Sequence, residues 1–386
     1  MKDNCRLSVE IGAFMSGQSI IIPYHRDKEM IKYAVNCIVK TVSADVEIVI
    51  VGNNYLSEEL VVDFPYSNVK YYAIEENLFY PRAINFGVER SNGEIITFVD
   101  PDVFVKSGWY EPLIEAIANN DIGAVGCKLI NPSTGRIIDF GISHTMVNAV
   151  HPLMGERPSF YLAYENRRVQ SICSAVLTTR RSLFEEINGM DINLPYTYTD
   201  IDYCFRLGDI GKSTVACANS VAYHKGSSDP ENSKSYSFKY LNADSKAMFY
   251  SKWGERIPID LGKWFNISFS YFRKINSDFA RRVFLLDLST VYDRSYYYGL
   301  LHEQGIEFLE NHVVPVKTRD IDHLTLHKMV AFDIIETASP ILYFVDSFLE
   351  LFDNSLWFNH RDISRDYVVD RNGCVHMLAD ISNRAC

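Results

Sequence analysis

Short apolar runs alternate with stretches of helical spacing along the first hundred residues of this chain. Ser19-Ile20-Ile21-Ile22-Pro23 is a β-branched run stopped by proline, the pattern of a strand buried on both faces. Lys28 to Val42 then carries Met30, Ile31, Ala34, Val35, Ile38 and Val39 on one side of a helix. Val46–Val51 predicts a second strand, broken at the turn cluster Gly52-Asn53-Asn54, and Val69–Ile74 a third. Pro81–Arg90 predicts a helix with proline in its first turn, where the missing N–H has no intrahelical partner to lose. Ile95–Val99 is the fourth strand. The alternation predicts an α/β domain built on a mainly parallel, mixed sheet.

Further on, Gly108–Asn119 reads as helix, and Gly123–Leu129 and Ile137–Ser143 as strands. Between Asn148 and Asn166 the pattern dissolves into Pro, Gly, Tyr and charge, a loop suited to contacting substrate. Val169–Thr179 reads as one strand and Arg181–Ile187 as a helix. Asp200–Gly211 is again helical, Ser213–Ala218 and Val221–His224 are two strands, and Tyr236–Tyr250 has helical spacing. A composition shift at Gly254–Pro258 marks a boundary, giving domains of residues 1–255 and 256–386. In the second, Arg281–Leu288 reads as strand and Tyr296–Gly305 as a helix ending at glycine. Asp333–Glu336, Leu342–Phe352 and Leu356–Asn359 continue as strand, helix, strand. The tail is thus expected to be a smaller Rossmann-like α/β unit, without the Gly-x-Gly-x-x-Gly of a dinucleotide site.

Bulk composition narrows the function classes. The net charge of −11 argues against nucleic acid as a partner, since phosphates need a basic surface. A phosphorylated small molecule stays open if a cation or a local Arg supplies positive charge. Eight cysteines without a Cys-x-x-Cys pair suggest neither a zinc site nor a disulfide framework, and read as reduced thiols of a cytoplasmic protein. Met1–Ser16 lacks the apolar stretch of a signal peptide. No apolar window is long enough to span a bilayer; Trp264–Phe272 and Ile341–Phe352 are the longest and are interrupted. Peripheral attachment at the inner face of a membrane stays open, as does the oligomeric state.

The chemistry concentrates at Asp100-Pro101-Asp102, which ends the fourth strand. Two carboxylates one residue apart, at the C-terminal edge of an open α/β sheet, suit a hard cation held against a nucleotide diphosphate. In an arbitrary loop the same triplet is a turn. Asp200 and Asp202 also read as helix N-terminal acids favoured by the macrodipole, and His224 as an ordinary strand-end histidine.

Four segments in order change that balance: Ser19–Arg26, Asn77-Leu78-Phe79-Tyr80-Pro81-Arg82-Ala83-Ile84-Asn85, the acidic triplet, and Thr199-Asp200-Ile201-Asp202-Tyr203-Cys204-Phe205-Arg206-Leu207 followed by Tyr223-His224. Over about residues 17–228 the chain resembles family 2 glycosyltransferases of the GT-A fold, particularly bacterial rhamnosyltransferase-like members. The resemblance implies an inverting, metal-dependent transfer of sugar from a nucleoside-diphosphate donor to a hydroxyl of a glycan or lipid-linked glycan, in surface polysaccharide synthesis. It implies Asp102 and His224 as ligands of Mn²⁺ or Mg²⁺, Asp100 on the ribose or donor sugar, and Asp200 as general base, with Asp202 structural. Pro23, Tyr24 and His25 fall in its base-binding loop, with Glu29 orienting that loop and Arg82 facing the nucleotide.

Two positions depart from the family pattern. An Asn is usual at or near His25, and an Asp near Asn53, whose amide can both accept and donate. Uridine, thymidine and guanosine diphosphates therefore all stay open. The rival reading is a non-catalytic GT-A-like scaffold in an assembly complex; keeping Asp100, Asp102, Asp200 and His224 together argues against it. A sugar-phosphate nucleotidyltransferase would carry a glycine-rich loop where this chain has Pro-Tyr-His-Arg, and a hydrolase a Gly-x-Ser-x-Gly elbow. His360-Arg361-Asp362 imitates a kinase catalytic loop without its companion motifs. The tail faintly resembles the opening half of a GT-B-type domain.

Overall fold

A computed structural model of the chain describes residues 17–25, 27–53, 64–144, 149–226, 236–257, 261–276, 279, 281–287, 294–313, 340–348 and 362–382. Arg26, Asn54, the strands expected at 333–336 and 356–359, and the His360-Arg361 pair lie outside them. The chain divides into two compact units. One holds residues 1–142 and 153–256; the other holds 143–152 and 257–386.

In the first unit, strands β1 (Gln18–Tyr24), β2 (Glu47–Asn53), β3 (Val69–Ile74) and β4 (Ile95–Val99) alternate with helices α1 (Lys28–Val39) and α2 (Phe79–Glu89). β5 (Val103–Val105), α3 (Glu111–Ile117), β6 (Ile122–Ile130) and β7 (Ile137–Asp139) follow. After β8 (Ser143–His144) and β9 (Ala149–Val150), which pair with each other and belong to the second unit, the first continues with β10 (Arg167–Val169), β11 (Val176–Arg180), α4 (Arg181–Glu186), α5 (Thr199–Asp209), β12 (Ser213–His224) and α6 (Tyr236–Trp253). The main sheet has the order β10-β12-β6-β11-β4-β1-β2-β3, with β5 on β12 and β7 on β6. It is mixed and mostly parallel: β1 to β4, β6 and β12 share one direction, while β10 and β11 run against it.

The continuous apolar runs are strands because both of their faces are covered. All of β4 is buried, as are Ile20, Ile21 and Ile22 of β1. Helix α1 lays Ile31, Ala34, Val35 and Ile38 into this core, and the Asp27 carboxylate caps it by accepting from the Met30 N–H at 3.0 Å. Pro23 is tolerated inside a central strand because the β1–β4 ladder stops at Ile21↔Phe98, so no strand on that side needs its missing N–H.

Two strand expectations need correction. Val169–Thr179 is not one strand: β10 pairs at the sheet edge on β12, whereas β11 lies between β4 and β6. The chain must cross between those places, and the buried apolar Ile172 and Ala175 lie in the crossing, where they imitate a strand. Conversely, Ser213–His224 is a single strand on β6. Its apparent break is a bulge where Cys217 pairs with Cys127 and the next pair is Val221 with Lys128. Ser220 Oγ holds the bulge by donating to the Trp109 carbonyl at 2.5 Å.

In the second unit, β13 (Arg282–Asp287), β14 (Glu307–Val313), β15 (Ile341–Phe344), β16 (Tyr367–Val369) and β17 (Val375–Met377) form a sheet in the order β14-β13-β15-β16-β17. The first four in that row run parallel and β17 is reversed. Leu342–Phe352 reads as a helix in the sequence, but Ile341–Phe344 is a strand with all four residues buried between parallel neighbours. A short apolar run cannot declare its period, and its β-branched and aromatic content was the better guide.

His144 is buried in this unit. Burial, and secondarily the charge of His151, holds its pKa down to about 4. The folded state therefore resists a proton that the unfolded chain accepts near pH 6.5. Stability is full above about 6.5, falls as pH drops toward 4 by roughly 3 kcal/mol at most, and is flat below. In urea unfolding followed from pH 7 to pH 4, His144→Phe is expected to lose stability less steeply than wild type. Equal slopes would refute this.

Candidate functional site

Chain order in the main sheet reverses between β1 and β4: β2 and β3 add on one side of β1, and β4 on the other. Open α/β sheets bind ligands at such a point, outside the C-terminal strand ends. Asp100 is the first residue beyond β4 and Tyr24 the last of β1.

Backbone pairing brings the acidic triplet and His224 together. Asp100 N–H donates to the Ala175 carbonyl at 3.0 Å, and the Asp100 carbonyl accepts from Val103 N–H at 3.1 Å. Pro101 fits the second position of that tight turn. The turn sends the chain into β5, which runs antiparallel to the end of β12 with Val103 opposite His224. Lys225 N–H then donates to the Asp102 carbonyl at 3.2 Å. The result is His224 Nε2 at 3.2 Å from Asp102 Oδ1 and 4.0 Å from Asp100 Oδ2. One ligand atom from each of the three residues lies within 4.8 Å of the others. Asp100, expected on the ribose or sugar, thus lies in the same cluster as Asp102 and His224.

Two carboxylates and an imidazole are a donor set for Mn²⁺ or Mg²⁺ rather than for a thiophilic metal. Electrostatics point the same way. Burial raises the Asp100 pKa to about 7; His224 opposes the rise, while Asp102 and Asp200 add to it. Burial alone would lower the His224 imidazole, but the hydrogen bond and charge of Asp102, then the charges of Asp100 and Asp139, carry it above its ordinary value. Such crowding of negative charge is relieved by a bound cation. His224 Nδ1 is buried and makes no hydrogen bond among the described residues, so Nε2 is the atom directed at the acids.

Asp200 reaches the same region from α5, in whose first turn it lies. Its Oδ2 accepts from Ser174 N–H at 3.0 Å, just before β11, and its Oδ1 from Ile201 N–H at 2.9 Å. Its charge is felt at Asp100, Tyr80 and Cys173. Asp202 faces away from this group. It is fully buried and receives Arg206 Nε at 2.8 Å and Trp253 Nε1 at 2.9 Å, the structural role expected of it.

On the β1–β2 side, Pro23 and Tyr24 are buried at the end of β1. His25 is exposed, with Nδ1 at 3.1 Å from the Asn53 carbonyl. Asn53 is buried at the end of β2, and its Oδ1 accepts from Leu78 N–H at 2.6 Å, fixing the start of α2. Part of its acceptor capacity therefore serves the fold. Arg82 is exposed on α2. Glu29 is exposed in the first turn of α1, with Lys32 at 3.2 Å as its ion-pair partner, and no described contact carries it to the loop after β1.

Sequence reasoning gave no role to Tyr80, Asp139, Cys173 or Ser174. Tyr80 OH donates to the Ser174 carbonyl at 3.4 Å, and burial, then the charge of Asp100, raises its pKa. Burial, then the charge of Asp200, likewise raises the Cys173 thiol. Tyr80 lay within a recognised segment, but nothing local set it apart from Phe79. The other three come to the site through the β10–β11 crossing and the end of β7, placements that no short spacing encodes.

A family model described as Glycosyl transferase family 2 matches residues 19–187. The O-antigen biosynthesis protein RfbC of Myxococcus xanthus is 26% identical over 217 residues, covering 53% of this chain and 17% of RfbC. The uncharacterized glycosyltransferase EpsJ of Bacillus subtilis (strain 168) is 28% identical over 121 residues, covering 31% of this chain and 35% of EpsJ. The chain therefore spans well under half the length of either relative. The mannosyltransferase PcManGT from Pyrobaculum calidifontis, solved with GDP-Man and Mn²⁺, aligns over 61% of this chain and 63% of its own at 14% identity and a TM-score of 0.44. A likeness of that size leaves those ligands a property of that protein. Among the described residues no helix is long and apolar enough to cross a membrane.

Proposed function

From the match of residues 19–187 to the family model described as Glycosyl transferase family 2, we propose that this chain moves a sugar from a nucleoside-diphosphate donor to a glycan hydroxyl, with inversion, in polysaccharide synthesis. The observation that carries the reading is the convergence of Asp100, Asp102 and His224 within 4.8 Å, at the strand ends where such sheets bind nucleotides. Asp102, His224 and Asp100 would hold Mn²⁺ or Mg²⁺. When bound, that ion supplies Lewis-acid stabilisation of the departing diphosphate.

The chain's own residues account for the rest. The nucleotide base and ribose would rest against exposed His25 and the backbone at the ends of β1 and β2, where Pro23, Tyr24 and Asn53 are buried. Asp200 takes the proton from the acceptor oxygen. Each of its oxygens accepts a backbone N–H, which fixes the carboxylate in place. A base fixed opposite the leaving group favours single displacement, hence inversion. Nothing in these contacts selects the sugar.

Uridine, thymidine and guanosine diphosphate sugars, each offered with Mn²⁺, test the reading by thermal stabilisation and by slow donor hydrolysis. At least one is expected to stabilise the protein and to be hydrolysed. If none does either, the proposal fails.

A further inference from the structure

We propose that helix α6 is a brace for Asp200, gripping α5 on both sides of that carboxylate through Phe249, Tyr250, Lys252 and Trp253. The inference rests on the reading of Asp200 as the base. Residues two apart on a helix project from nearly opposite sides, while residues four apart share a face. Asp202 N–H donates to the Tyr198 carbonyl at 2.9 Å and the side chains of both residues meet α6, while Asp200 directs its Oδ2 to Ser174 N–H.

α6 holds both flanking residues. Tyr198 occupies the left-handed region at φ 65°, a strained position for a non-glycine residue that surrounding contacts must enforce. Its ring centroid lies 4.9 Å from that of Phe249 and 6.0 Å from that of Tyr250. One turn later, Asp202 Oδ1 accepts from Trp253 Nε1 at 2.9 Å and stands 2.7 Å from Lys252 Nζ. Lys252 Nζ also lies 2.7 Å from Asp191 Oδ2, tying in the turn before α5. Between these grips, Phe205 packs on Phe249 at 5.7 Å and on Trp253 at 5.2 Å. A fully buried carboxylate keeps its place only while its donors keep theirs, so a lost donor on α6 is felt at the start of α5. Lys252 and Trp253 are positioning residues; neither belongs to the candidate cation cluster.

The test uses the full chain and three variants: Trp253→Phe, which keeps an aromatic ring while removing the Nε1–H donor and part of the ring volume, Lys252→Met and Lys252→Arg. Hydrogen exchange at the Ser174 amide reports directly on its bond to Asp200 Oδ2. In Trp253→Phe and Lys252→Met that amide is expected to exchange about tenfold faster, with amides of β1 and β4 unchanged. Turnover should fall while the donor KM holds, and Lys252→Arg should restore both. Wild-type protection of Ser174 in Trp253→Phe and Lys252→Met would overturn the proposal. So would acceleration spread equally over β1 and β4, which would signal general loosening. Faster Ser174 exchange in a chain inactive toward every nucleotide sugar would leave the brace standing and refute the catalytic reading instead.

Discussion

Asp200→Asn is expected to bind donor as wild type does and to transfer almost no sugar. The substitution keeps one oxygen to accept from Ser174 or Ile201 and changes little in volume, but an amide cannot take a proton from an acceptor hydroxyl. General-base removal typically lowers turnover by about 10²–10⁴-fold. The donor KM should stay within about twofold, because a group acting on the acceptor contributes to the transition state rather than to donor binding. Transfer near the wild-type rate would remove Asp200 from the mechanism. A parallel collapse of donor affinity would make it a binding residue.

Asp102→Ala should have the opposite signature, with nucleotide recognition lost before chemistry is reached. A diphosphate carries its charge into a cleft that already holds Asp100, Asp102 and Asp200, so without a cation it meets repulsion. At a ligand concentration of about 100 Kd, wild type with Mn²⁺ gains about 2.7 kcal/mol, a melting shift of several degrees. Asp102→Ala should show almost none of that shift. Its unliganded fold should persist, because Asp102 sits on a turn at the sheet edge, outside the hydrophobic core. Full stabilisation of the variant by nucleotide and Mn²⁺ would mean that the diphosphate is held some other way.

Much of this was legible before any coordinates. Ile20 to Ile22 and Ile95 to Val99 announce buried strands because β-branched runs suit a sheet covered on both faces. The acids at 100 and 102 stand out because they end such a run, at the edge where open α/β sheets bind ligands. What stayed hidden depends on pairing between distant segments. The β10–β11 crossing looks like one strand because its buried Ile172 and Ala175 keep the apolar pattern through a stretch that makes only an isolated bridge, Ser171 with Ile142. β12 looks like two because Asn219 and Ser220 interrupt an apolar run that a bulge absorbs. The nearness of Asp100 to His224 stayed hidden for the same reason. Only the β5–β12 register, with His224 opposite Val103, reveals how near the imidazole comes to both acids.

A Mn²⁺ titration followed by electron paramagnetic resonance tests that convergence most directly, since it counts bound ions without requiring the right sugar. Wild type is expected to take up one ion per chain, and His224→Ala to bind it more weakly by at least the ~10–100-fold that even outer-sphere changes around a metal produce. Identical uptake by wild type and His224→Ala, or no uptake by wild type, would contradict a cation site shared by Asp100, Asp102 and His224.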